Sequence, residues 1–104
     1  MALDRIAQLK EFVNEDPMDP FNHYALALEY VNSGNLREAY TGFAHLLAYH
    51  PSYLPCYYHF GKLLENIGEM EEAKRIFTLG IALAIQQGAN KTAAELQSAL
   101  DLVD

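Results

Sequence analysis

Apolar positions recur along this chain at helical spacing almost from end to end. Ile6, Leu9, Phe12 and Val13 make one stripe of a helix predicted over about 3–14, with polar residues opposite. Asp16-Pro17-Met18-Asp19-Pro20 then forces a turn, because a residue before proline is pushed out of the helical region. Asp19 is placed to cap the next helix, about 20–32, and Pro20 suits a first turn where no N–H partner is needed. Gly34 ends that helix, with the positive φ that glycine adopts freely. Asn35 is the expected cap of the following helix, and Glu38 at its third position completes a capping-box-like arrangement. That helix runs to about Tyr49. After the linker His50-Pro51-Ser52-Tyr53 comes a helix over about 54–66, a turn at Gly68 and a helix over about 70–87. Glu69, Glu71 and Glu72 favour the positive end of this helix, and Glu71 is placed to pair with Arg75 one turn on. Gly88 breaks the chain before a last helix, about 90–102, with Ala93, Leu96, Leu100 and Val103 on its apolar stripe. The pattern predicts six antiparallel helices and no strand.

The stretch from Pro20 to Pro51 is written twice. A shift of 34 residues puts Tyr24 on Tyr58, Asn32 on Asn66, Gly34 on Gly68, Glu38 on Glu72, Ala39 on Ala73, Phe43 on Phe77 and Ala48 on Ala82. Self-similarity at this period points to stacked helix-turn-helix units. The pattern resembles the tetratricopeptide repeat, with His23, Leu26, Ala27, Tyr30, Gly34, Ala39, Phe43 and Pro51 in its places in the first copy. Tyr57, Phe60, Gly61, Leu64, Gly68, Ala73, Phe77 and Gly80 take them in the second. The departures are Leu46 where a small residue is usual, Ile85 for the closing proline, and His23 for the aromatic. The resemblance implies an all-α, right-handed α-solenoid of antiparallel hairpins in a single domain: a leading helix at 1–16, repeats at 20–53 and 54–87, and a capping helix at 89–104. The leading helix aligns as a B-type half-unit, Leu9 falling on Phe43 and Pro17 on Pro51. Ala27 and Gly61 are expected to let each helix B approach closely, and Phe43 and Phe77 to fill the space between successive hairpins.

In such repeats the first helix of each hairpin, helix A, lines a concave groove. Carried over position by position, the resemblance implies a protein-binding groove of Phe21, Tyr24, Leu28 and Asn32, beside Val31, in the first repeat. The second supplies Tyr58, Lys62, Glu65 and Asn66, beside Pro55. Tyrosine offers a large contact area at low entropic cost, and asparagine bonds a peptide backbone from both sides. The structural alternative is that the tyrosines pack on flanking helices and the asparagines serve the turns. Members of the family that clamp a chaperone's carboxylate tail place Lys, Asn and Arg on successive A helices. Here only Lys62 offers a cation, so a tail clamp is not expected.

Composition narrows the chemistry. The net charge of −7 over 104 residues opposes nucleic acid, which demands clustered Lys and Arg, and favours solubility and basic partners. No apolar run nears the ~20 residues that span a bilayer. The N-terminal segment, charged and periodic, lacks a signal-peptide core, so a cytoplasmic location is expected. The single cysteine, Cys56, excludes an intrachain disulfide; it sits in a helix's first turn, where the dipole lowers a thiol's pKa, yet no histidine lies four residues away, and a small core residue is expected. Four histidines, His23, His45, His50 and His59, show no ligand spacing, and neither metal nor cofactor is expected. Tyr40, Tyr49, Tyr53, Tyr57, Tyr58 and Phe21 exceed what six short helices bury easily, which suggests self-association through a terminal helix or the tyrosine-rich linker. The expectation is a non-enzymatic module that binds a peptide or helix of a partner protein. The alternatives are a homodimeric assembly element and, last, a small metal- or thiol-dependent enzyme.

Overall fold

Six helices and no strand occupy the described residues of the computed structural model, which are 2–103, with side chains from Asp4. They are α1 (Ala2–Glu15), α2 (Pro20–Asn32), α3 (Leu36–Tyr49), α4 (Pro55–Asn66), α5 (Met70–Gln86) and α6 (Asn90–Val103). The ends of the expected leading and capping segments, Met1 and Asp104, lie outside the described residues. Two compact units divide the chain, Met1–Tyr53 and Leu54–Asp104, parting where the second repeat begins. In the first, α2 packs against α1 and α3; in the second, α5 packs against α4 and α6, and α4 also touches α6.

Three turns share one backbone design. After α2, Ser33 N–H donates to Glu29 O, Gly34 N–H to Val31 O and Asn35 N–H to Tyr30 O. The same three bonds recur at Ile67, Gly68 and Glu69 after α4, and at Gln87, Gly88 and Ala89 after α5. Each is closed by a glycine of positive φ, 81° at Gly34, 88° at Gly68 and 73° at Gly88. The left-handed residue reverses the chain and satisfies carbonyls that a helix end leaves unpaired. The next helix opens from the carbonyl of Asn35, Glu69 or Ala89, each accepting from the N–H four residues on. The expected capping box is therefore overturned. Asn35 makes no side-chain cap bond, and its amide donates instead to Ser33 Oγ at 2.9 Å. Asp19 does cap α2, its carboxylate accepting Phe21 N–H at 3.0 Å. In α5, Glu71 pairs with Lys74 at 3.3 Å, and Arg75 Nε donates to Glu72. Exposed pairs of this kind contribute a few tenths of a kcal/mol.

Packing explains the small residues. Ala27 is buried against Gly42, where an added Cβ would lie 3.1 Å from the Ala27 Cβ. Gly61 lies under the Phe77 ring, 2.3 Å from where its Cβ would be, so this ring fills its own hairpin. Gly80 admits Tyr57 and Leu96 in the same way, at 2.7 and 3.0 Å. Ile6, Leu9, Phe43 and Leu46 are buried in the first unit; Phe60, Leu64, Ile76, Phe77 and Leu96 in the second. Two expectations fail here. Phe12 stands 46% exposed, off the buried stripe of α1, and Tyr57, counted among the surface tyrosines, is buried.

Candidate functional site

In the first unit the expected groove residues lie along α2. Phe21 is 58% exposed, its ring 6.5 Å from that of Tyr24. Tyr24 is half-buried and meets Tyr53 edge-on at 5.5 Å, so neighbours on both sides hold its ring. Leu28 and Val31 are half-buried, and Asn32 ends the helix exposed. The turn beyond uses backbone groups together with Ser33, whose hydroxyl donates to Glu29 O at 2.9 Å. Among the described residues Asn32 makes no side-chain hydrogen bond, and neither does Asn66 at the matching place. The reading of these two asparagines as turn residues is set aside.

In the second unit Tyr58, Lys62, Glu65 and Asn66 follow α4. Tyr58 is partly exposed and edge-on to His59, with centroids 5.3 Å apart. Lys62 Nζ stands 3.2 Å from Glu65 Oε1, an oxygen shielded from solvent and outside hydrogen-bond alignment despite the short distance. Their charges largely answer each other. Between α4 and α6 opens a cleft of about 490 Å³, lined by Tyr58, His59, Lys62, Glu95, Ser98, Ala99 and Leu102. A smaller recess of about 230 Å³ continues it past Leu54, Pro55 and Thr92. The α6 side of this cleft escapes a reading built on the repeats, since α6 matches neither copy. Its signal is the spacing Thr92, Glu95, Ala99, Leu102, one face of one helix.

A second feature was not legible from spacing. His23 on α2 stacks against His45 on α3 at 4.5 Å between centroids, and His50 lies 6.4 Å from His23. Tyr49 flanks His45 at 4.6 Å, and His23 Nε2 is 2.7 Å from the Pro17 carbonyl. Burial, then the neighbouring His23 and His50, hold the His45 pKa below its ordinary value. Alongside runs a groove of about 390 Å³ between α2 and α3, bordered by His23, Leu26, Tyr30, Arg37, Glu38 and His45.

Burial moves the pKa of His59, Tyr57 and Cys56 in the second unit. His59 is lowered by it, and the Tyr57 hydroxyl is raised by it and by adjacent Cys56. Cys56 is buried, the small core residue expected of it, and its thiol is pushed up to about 12, desolvation outweighing the helix dipole. No group of three or more ligating side chains among the described residues is arranged to hold a metal. No helix among them is long and apolar enough to cross a membrane.

The sequence matches no protein-family model and no curated protein. Solved structures do match. The solution NMR structure of a tetratricopeptide repeat domain protein from Salinibacter ruber superposes with a TM-score of 0.82 at 37% identity, over 86% of this chain and 90% of that one. The crystal structure of a tetratricopeptide repeat domain protein from the same organism gives 0.79 at 36% identity, over 82% of this chain and 96% of the other.

Proposed function

Since the chain belongs to the tetratricopeptide repeat family, we propose that it is a non-enzymatic protein-binding module in which the A helix of each unit, α2 in the first and α4 in the second, offers a surface to a partner protein. The observation that carries this is the surface of α2. Phe21 is largely exposed above a Tyr24 ring already held by Tyr53, and Asn32 is exposed with its amide unengaged. A pre-positioned aromatic ring beside free amide groups binds an extended or helical segment at little ordering cost. In the second unit Tyr58 and the cleft beside it offer a surface of their own, and Glu95 gives it an acidic edge. With a net charge of −7, the favoured partner segment is apolar with basic flanks, neither nucleic acid nor a chaperone's carboxylate tail. The proposed setting is the cytoplasm, where a lone thiol stays reduced.

A photo-crosslinking residue placed at position 24 or 58 should trap partner protein in cell extract, and one at exposed Tyr40 of α3 should not. Trapping at position 40 alone would move the working surface to α3. A second reading, self-association, is favoured by Phe12, Met18 and Phe21, all exposed about the α1–α2 turn, where Asn22 Nδ2 donates to Phe12 O. Sedimentation over a concentration range separates the two, a stable dimer at low micromolar concentration supporting the second.

A further inference from the structure

We propose that His23, His45 and His50 make the first hairpin a pH-sensitive element that loosens the aromatic face of α2 on mild acidification. The inference rests on the reading of α2 as a binding surface. Its geometric basis is the gathering of three imidazoles at one end of the α2–α3 pair, at 4.5 and 6.4 Å from His23. A carbonyl only accepts, so the 2.7 Å contact with Pro17 O places the His23 hydrogen on Nε2 and leaves Nδ1 to take a second proton. A second and third positive charge this close repel one another and weaken the stack.

Other charged or titratable groups face the cluster from the elements around it. Arg37 and Glu38 of α3 and Tyr30 of α2 share the groove with His23 and His45. Tyr49 flanks His45, and Asp16 and Asp19 lie in the turn on either side of Pro17. Among the described residues none of these forms an ion pair with any of the three rings, and the Asp19 carboxylate is engaged with Phe21 N–H. Arg37 adds to the positive charge.

The link to the binding face is short. Tyr24 follows His23 in α2, and its ring leans on Tyr53, whose N–H donates to the His50 carbonyl at 3.0 Å. Parting the rings disturbs the His50–Tyr53 segment and with it the edge-on support that Tyr53 gives Tyr24. The sign follows from linkage. His45 holds its proton less firmly in the fold than in the unfolded chain, so its stabilising contribution is complete above about 6.5 and is lost as pH falls through its lower folded value.

Histidine ring signals and amide exchange of the intact chain, followed by NMR from pH 8 to 5, test the proposal. The expected result is that His45 protonates below 6.5 and that the helical amides of 24–28 and 46–50 lose protection with it. A His45 midpoint at or above 6.5, or protection kept throughout, overturns it. His45→Gln should abolish the response and His59→Gln should keep it; the reverse also overturns it. If either variant fails to fold, the titration of the unaltered chain decides. No partner enters the titration, so its failure stands apart from failure of the α2 binding reading, which the crosslinking at position 24 decides.

Discussion

Gly61 is the residue on which the second hairpin closes. Its missing Cβ would fall 2.3 Å from the Phe77 ring, and that ring is fully buried, with no room to swing away. Gly61→Ala should therefore overpack the α4–α5 contact and cost about 1–3 kcal/mol, read as a lower midpoint in urea unfolding. An unchanged midpoint would mean that the ring relocates freely. Cys56 makes the complementary case, since its thiol is pushed up to about 12 by burial. It should resist a thiol reagent at pH 8 in the folded chain and react once urea unfolds it; fast reaction in the folded chain would contradict its burial. The small residues at Ala27 and Gly61 were legible in the sequence because the repeat aligns them. Cys56 was legible as a small core residue, but the direction of its pKa was not. A first-turn position and burial push a thiol in opposite directions, and only the packing decides between them.

At the scale of elements, the three glycine turns explain why the sequence between helices varies so freely. Asn35, Glu69 and Ala89 occupy one position, and each begins a helix through its own carbonyl. The side chain there does little, which is why the expected capping box did not form. Gly68→Ala, at a φ of 88° with open space around it, should cost about 1 kcal/mol through backbone strain alone. Asn35→Ala should cost only a few tenths of a kcal/mol, below the ~1 kcal/mol of a true side-chain cap. A loss at Asn35 as large as that at Gly68 would restore the capping box. Every helix end was legible to within one residue, because proline and glycine punctuate the chain where the helices stop. The exposure of Phe12 was not, since helical spacing marks a broad stripe but not which edge of it meets the neighbouring helix.

For the whole molecule, the 34-residue period read from the sequence separates the matching turns at Gly34 and Gly68, and the family assignment follows from it and from the solved relatives. The binding face was legible only in part. Phe21, Tyr24 and Tyr58 could be placed on A helices by alignment. The contribution of α6 could not, nor could the meeting of His23 with His45 and His50, which follows from folding α3 back along α2. The account stands or falls on whether the A helices hold the partner. Calorimetric titration of the crosslinked partner, once identified, into the unaltered chain, a Tyr24→Ala/Tyr58→Ala variant and a Tyr40→Ala variant decides it. The account predicts affinity roughly tenfold or more weaker for the double variant and unchanged for Tyr40→Ala. Full affinity in a folded double variant would contradict it.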